Sequence, residues 1–347
     1  MTQTPAAGPK DGLRVWYMTT GEPGIHGQAR GLARELSASA EERLIRVNRL
    51  WSLAPPALFR LSLFGVSRVG GRLEPPWPDV LITCGRRSAL AAMAVRRRSR
   101  APMVTVHIQR PTDPAAFDAI VAMTHDDLAG SNVLRIDTAL HGIRASALAE
   151  AAAVSDLRFA ALRRPWTGVL LGGSTRHADL TVADARRLAD SLDALRTDSG
   201  GSLLITPSRR TPAAVVDLLN ARYAADPTVF LWAGSPPNPY LPILALADRL
   251  VVTSDSISMI SEALATKVPV WIFNVAGGPR HARFLGNLLA KGLVASLGGA
   301  PPPARQGGVD STPHVANILR ELVKAKIGRS TARSGPADVQ AITAPLP

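Results

Sequence analysis

The chain reads as an α/β protein made of two doubly wound, largely parallel sheets. Three observations predict this. Short apolar runs alternate with helix-length stretches along most of the sequence. The connections between them are short, as strand–helix–strand crossovers allow. The alternation pauses once, over residues 144–164, and then restarts. With 347 residues and 46% hydrophobic content, the chain is long enough for two cores.

In the first half, residues 13–18 form a strand, followed by a glycine-rich loop over 19–27 and a helix over 28–37. Further strands are expected at 44–47, 79–84, 103–108, 119–122 and 132–135, with a helix after Gly85 running to about residue 98. Runs such as Val80-Leu81-Ile82 are apolar without alternation, as strands covered on both faces are. The pause looks like a helix ending at Arg163-Arg164-Pro165, because a proline disfavours helical geometry in the residue before it. The second half repeats the plan with strands at 166–171, 202–206, 229–232, 249–253 and 268–273. Helices are expected at 181–198, 211–224 and 241–248, with another starting in the Ser-rich turn after Thr253. The expected domains are therefore 13–150 and 165–310, with a last helix at 313–327 and a disordered tail at 328–347.

Composition narrows the function. The 40 Lys and Arg against 27 Asp and Glu give a net charge of +13, mostly from Arg. That charge suits a nucleotide diphosphate, an acidic lipid or a nucleic acid, and equally reflects a genome rich in Arg codons. No nucleic-acid module or aromatic platform accompanies it, so no nucleic-acid partner is expected. Cys84 is the single cysteine, which excludes an internal disulfide and a Cys-rich metal centre and agrees with a cytoplasmic location. The seven His show no metal-ligand spacing, so no metal is expected. Residues 1–12 lack the apolar segment of a secretory signal, and 50–69, the nearest approach to a membrane span, is broken by Pro55, Pro56, Arg60 and Arg68. The apolar, basic-flanked stretch around Trp51, Leu53, Phe59 and Phe64 reads either as a membrane-surface patch or as a packed helix.

In a doubly wound sheet, ligands gather where strands end. Gly24, His26, Gly27 and Gln28 follow the first strand, and Arg86 and Arg87 follow Cys84-Gly85. His107 and Gln109 sit at the end of the 103–108 strand. His107 is a candidate general base because imidazole titrates near neutrality, or a structural strand-end residue. The glycine spacing of the first loop is neither a dinucleotide fingerprint nor a P-loop. In the second half, Gly172, Gly173 and Ser174 suit a phosphate. Ser208 and Thr211 can cap the coming helix, or the Ser208, Arg209 and Arg210 turn faces a ligand, with the two arginines pairing with a diphosphate. Asn238 and Tyr240 precede the Ser-rich turn Asp255, Ser256, Ser258, which leads to Glu262. That turn reads either as a well-capped helix start or as a ligand-binding element.

Taken in order, Gly27-Gln28, Cys84-Gly85-Arg86-Arg87-Ser88, His107-Ile108-Gln109, His125-Asp126, Gly172-Gly173-Ser174, Ser208-Arg209-Arg210-Thr211-Pro212, Asn238-Pro239-Tyr240 and Asp255 through Ala263 resemble one family. It is the bacterial family named after the plant mitochondrial-fission (elongated-mitochondria) protein, and the resemblance covers about residues 13 to 325. That family is similar to the GT-B glycosyltransferases, in which two Rossmann-like domains face each other across a cleft. The resemblance implies a donor nucleotide-diphosphate sugar, with no further cofactor, held by the second half, with Glu262 on the ribose. It implies an acceptor, lipid-linked or otherwise, on the first half, and transfer with inversion and without metal. A non-catalytic adaptor on an anionic membrane surface, at the inner face of the cytoplasmic membrane, is the rival expectation, and nucleoside-diphosphate-sugar epimerisation a third. The chain departs from the family pattern at Arg110, where an Asp is usual, and at Pro237, where a Glu is usual.

Overall fold

The computed structural model describes residues 12–47, 66–69, 72–99, 101–154, 157–174 and 179–328. The apolar 51–64 stretch, Thr175 of the glycine turn and the 329–347 tail lie outside the described residues. Contacts divide the chain after Gly142 and after Asp310. Unit 1 holds the residues before and after that insert, and unit 2 is the insert itself.

Unit 1 has a seven-stranded sheet: β1 (Val15–Thr19), β2 (Glu41–Val47), β3 (Val66–Arg68), β4 (Val80–Cys84), β5 (Val104–Ile108), β6 (Ala119–Met123) and β7 (Val133–Ile136). The order is β3-β2-β1-β4-β5-β6-β7, and every pairing is parallel except β2 with β3. Strand order reverses between β1 and β4, which makes that the switch point of the unit. Helix α1 (Pro23–Leu36) follows β1 and α2 (Arg86–Arg98) follows β4. The apolar runs became central strands because both faces are covered: every residue of β1, β4, β5 and β6 is buried. Trp16, Met18, Leu81, Val95 and Ile120 sit in one core cluster.

The first helix starts five residues earlier than expected. Pro23 occupies its first turn, where a missing N–H is not needed, and so Gly24, His26 and Gly27 are helical rather than part of a loop. The 144–164 helix is also shorter than expected: α3 (Ala145–Ala153) ends well before the Arg164-Pro165 bond. Strand β3 at the sheet edge has no counterpart in the sequence reading.

Unit 2 contains α3 and a fully parallel six-stranded sheet of order β10-β9-β8-β11-β12-β13. Its strands are β8 (Trp166–Leu171), β9 (Ser202–Pro207), β10 (Val229–Leu231), β11 (Arg249–Thr253), β12 (Val270–Phe273) and β13 (Ala295–Ser296). Helices α4 (Val182–Ser199), α5 (Ala213–Tyr223), α6 (Tyr240–Leu246), α7 (Ile257–Leu264) and α8 (Pro279–Ala290) make the crossovers. Helix α4 begins with a reciprocal capping box, in which Thr181 takes the Asp184 N–H and Asp184 takes the Thr181 N–H. Strand order reverses between β8 and β11, the second switch point. The last helix, α9 (Ser311–Gly328), returns to unit 1 and packs on α1, where Arg320 donates to the Glu35 carbonyl; Lys326 pairs with Asp118, just before β6, at 2.6 Å. No helix among the described residues is long and apolar enough to cross a membrane.

Candidate functional site

The unit 2 switch point is built from three loops that leave β8, β9 and β11 at their C-terminal ends. They are knitted together by two glycines. The Gly172 N–H donates to Thr253 Oγ1 at 2.8 Å, and the Gly173 N–H donates to Asp255 Oδ2 at 2.6 Å. The Gly172 carbonyl accepts from Ser208 Oγ at 2.6 Å and from the Thr211 hydroxyl. A side chain at Gly172 would collide with the Asp255 carboxylate, and one at Gly173 with the backbone of Arg210 and Thr211. These glycines therefore serve the close approach of neighbouring loops, and their N–H groups are occupied.

The Ser-rich turn divides its hydroxyls between structural tasks. Ser254 takes the Val275 N–H at 2.8 Å and donates to the Val275 carbonyl, tying β11 to the loop after β12. Ser256 caps α7 by accepting from the Met259 N–H at 3.4 Å. Ser258 is half-buried, with no side-chain hydrogen bond among the described residues. Asp255 is 3% exposed, and its Oδ1 has no partner among the described residues. Burial pushes its carboxyl above the usual range, although the Thr253 hydroxyl, the Gly173 N–H and the charge of Arg210 pull the other way.

One turn further along α7, Glu262 accepts a hydrogen bond from the Tyr240 hydroxyl. Burial raises the Glu262 carboxyl above its ordinary value. Tyr240 is raised well above its own, first by burial and then by the Glu262 charge. Asn238 holds the start of α6 by accepting from the Tyr240 N–H at 2.9 Å. Ser174 donates to Asp179, on the far side of the undescribed 175–178 segment. Arg209 and Arg210 are exposed, and neither guanidinium makes a hydrogen bond or ion pair among the described residues. The structure thus brings Gly172, Gly173, Ser208, Arg210, Asp255 and Ser256 to one sheet edge. Glu262 is paired with Tyr240 along α7.

In unit 1, the first turn of α1 lies against the loop after β4. A Cβ at Gly85, whose φ is +93°, would come within 3.2 Å of Ile25 Cδ1. His26 Nδ1 shares a 3.2 Å hydrogen bond with the Thr19 hydroxyl, and its Nε2 lies 3.7 Å from Glu42 Oε2. Glu42 also accepts from the Tyr17 hydroxyl at 3.0 Å. Gln28 is buried and turned back onto its own helix, donating to the Gly24 carbonyl at 3.2 Å. Arg86 is exposed, and Gln109 is half-buried with an unusual φ of +77°.

His107 belongs elsewhere. It is 0% exposed inside β5, with Nδ1 at 2.8 Å from the Thr83 hydroxyl and its ring near that of Phe117, 5.1 Å between centroids. Burial lowers its pKa to about 3. A general base has to touch the proton it takes, and this imidazole is enclosed by the sheet core.

Sequence reasoning misses Thr253, Thr211 and Glu42 as parts of these sites. In the sequence Thr253 reads only as a strand end and Thr211 only as a cap. Glu42 falls outside a strand whose start is expected at residue 44, whereas β2 begins at Glu41. The signal for Thr253 is present, since a hydroxyl at a buried strand terminus has to find a partner. No group of three or more His, Cys, Asp or Glu among the described residues is arranged to hold a metal ion.

Comparison with known proteins bears on both units. Solved structures similar to the chain include UDP-N-acetylglucosamine 2-epimerase from Rickettsia bellii, at 12% identity and TM-score 0.49, covering 92% of this chain and 98% of that one. MurG from Acinetobacter baumannii is similar at 13% identity and TM-score 0.49, covering 95% and 98%. At these scores neither carries an argument about this chain. Among curated proteins, mitochondrial fission protein ELM1 of Arabidopsis thaliana is 32% identical over 256 residues, and the match takes in 65% of this chain but only 58% of that protein. An uncharacterized protein of Rickettsia prowazekii is 25% identical over 296 residues, covering 75% and 83%. The family profile described as mitochondrial fission ELM1 matches residues 23–323. That span runs from the first turn of α1 into α9 and covers well over half of the chain, so the chain belongs to the mitochondrial fission ELM1 family.

Proposed function

We propose that the chain is a sugar-nucleotide-dependent glycosyltransferase of GT-B type, with unit 2 holding a nucleoside-diphosphate sugar and unit 1 an acceptor. The observation that carries this reading is the convergence of three loops at the β8–β11 switch point beside the exposed guanidiniums of Arg209 and Arg210. A strand-order reversal is where an open α/β sheet offers a crevice. Guanidinium forks match phosphate oxygens. Glu262 keeps one carboxylate oxygen beyond the one Tyr240 uses, available to accept from ribose hydroxyls. Arg209, Arg210 and the first turn of α7 would stabilise the charge developing on a leaving diphosphate.

Calorimetric titration against UDP-, GDP-, ADP- and CMP-sugars tests this. Saturable binding to one of them, lost in Glu262→Ala, supports the reading. The absence of binding to every nucleotide sinks it.

A specific observation favours a second reading, a scaffold that keeps the fold without the chemistry. The N–H groups of Gly172 and Gly173, which a phosphate turn would leave open, are already taken by Thr253 and Asp255. The Arabidopsis relative, named for mitochondrial fission and not for a reaction, also supports it. Under this reading the partner is an anionic membrane surface or a protein, and co-sedimentation with anionic vesicles without nucleotide binding is the expected result.

A further inference from the structure

We infer that unit 1 carries an anion site of its own, formed by Arg86, Arg87 and Arg110 at the C-terminal sheet edge and suited to a phosphoryl group. Strands β4 and β5 are parallel neighbours, with Cys84 opposite Ile108. Arg86 and Arg87 lie two and three residues beyond the first of these, and Arg110 two beyond the second, so the three residues follow adjacent strands at one edge. All three are exposed, and none makes a hydrogen bond or ion pair among the described residues. Arg43 pairs with Glu41, Arg96 with the Ala116 carbonyl at 2.8 Å, and Arg320 with the Glu35 carbonyl. Arg30, Arg46, Arg68 and Arg98 are also exposed and unpaired among the described residues, but none of them lies within three residues of the end of β4 or β5.

The backbone adds donors at the same place. Arg86 and Arg87 open α2, which has neither a capping side chain nor an acid in its first turn. Ser88 does not supply the cap, because its hydroxyl points back to the carbonyls of Cys84 at 2.7 Å and Gly85 at 2.8 Å. Between the arginines, Gln109 is held in the left-handed region at φ +77°, and its N–H donates to the Val121 carbonyl at 2.8 Å. Its side-chain amide makes no hydrogen bond among the described residues. A non-glycine residue in that region is strained, and such strain concentrates at ligand-facing positions.

No acid lies between Val80 and Thr112 to neutralise the cluster. Asp113 lies three residues beyond Arg110 in the same loop, and the other acids of this edge follow other strands and are occupied: Asp126 faces His125 at 3.5 Å, Asp137 accepts from Thr124 at 3.0 Å, and Glu22 accepts from Thr20. Asp113 and Asp127 also have partners of their own. Three guanidiniums and an uncapped helix start offer more donors than the two oxygens of a carboxylate can take. They match the three or more oxygens of a phosphoryl group.

The phosphoryl group has two sources, a lipid headgroup or a soluble phosphate ester, and the test separates them. Full-length chain is titrated calorimetrically with inorganic pyrophosphate and co-sedimented with phosphatidylglycerol–phosphatidylcholine vesicles. The triple variant Arg86→Gln, Arg87→Gln, Arg110→Gln is compared with Arg30→Gln, Arg68→Gln, Arg98→Gln, which removes the same charge from other exposed positions. The site triple should weaken whichever probe binds by at least about tenfold and flatten its salt dependence, with the control triple close to the parent. Vesicle binding alone assigns the site to a headgroup, and pyrophosphate binding alone to a soluble ester. Equal weakening in both triples, or no binding of either probe by the parent, overturns the inference. Nucleotide-sugar titration of the site triple should be unchanged, so this inference and the reading of unit 2 fail separately.

Discussion

Replacing Gly173 with alanine tests the account of the unit 2 site most directly. The new methyl would meet the carbonyl of Arg210 and the nitrogen of Thr211, backbone atoms that cannot rotate aside. The turn would have to shift, and with it the 2.6 Å bond from the Gly173 N–H to the buried Asp255 carboxylate. Overpacking of this kind costs about 1–3 kcal/mol. Weakening a hydrogen bond to a buried charged group adds a further ~1–3 kcal/mol. Alanine's lower unfolded-state entropy offsets about 0.4–1 kcal/mol. The net is a loss of about 3 kcal/mol, and at about 2–4 °C per kcal/mol for a unit of this size the midpoint falls by about 6–12 °C. Differential scanning calorimetry reads this as a shift of one transition, with Gly27→Ala as the contrast. Gly27 lies inside α1, and a methyl added there would have nothing within 4 Å, so alanine should stabilise by about 0.5–1 kcal/mol. A Gly173→Ala midpoint within about 2 °C of the parent, or a destabilised Gly27→Ala, would refute the reasoning.

Tyr240→Phe removes the hydroxyl that bonds Glu262 and should cost about 1–3 kcal/mol in urea unfolding, with no loss counting against the pair. Because burial raises the Glu262 carboxyl, the folded chain holds that proton more tightly than the unfolded one. Its stabilising effect is therefore complete below the unfolded pKa and is lost as pH rises through the folded one. Glu262→Gln should flatten stability against pH above about pH 4, and an unchanged slope would show that Glu262 is not the source. Asp255 has the same sign, so Asp255→Asn should raise the neutral-pH midpoint; a lowered midpoint would mean that its bond to Gly173 outweighs its burial. His107 has the opposite sign: the unfolded imidazole takes a proton below about pH 6.5, while the folded one stays neutral until about pH 3. Stability should fall as pH drops through that window, and an NMR titration midpoint near that of a free imidazole would contradict the burial of His107.

Most strands were legible because parallel strands covered on both faces are apolar over most of their length, as Val80 through Cys84 and Trp166 through Leu171 are apart from Thr83 and Thr167. Helix starts were less legible. Glycine and proline near Pro23 signal a loop when read locally, yet packing on β1 and β4 made that segment the first turn of α1. The candidate residues at the unit 2 edge were legible as residues but not as bonds. Nothing in the spacing of Gly172 and Gly173 tells whether their N–H groups face a ligand or neighbouring side chains. His107 shows the same limit, since periodicity places it at a strand end while the strand's depth in the sheet decides whether solvent reaches it. The pairing of Tyr240 with Glu262 joins positions 22 residues apart and required the fold itself.

Helix α9 has a consequence for how the chain is made. It buries Val315, Ala316, Leu319 and Val323 against a unit whose last strand ends at Ile136, with all of unit 2 inserted between. A ribosome therefore releases every strand of unit 1 long before the helix that covers them, while unit 2 emerges as one unbroken segment. Unit 2 can close during synthesis, whereas unit 1 waits with an open apolar face until Ser311–Gly328 has been made. A chain stopped before Ser311 should carry a finished unit 2 beside an unfinished unit 1, with chaperone capture and proteolysis falling on the N-terminal portion.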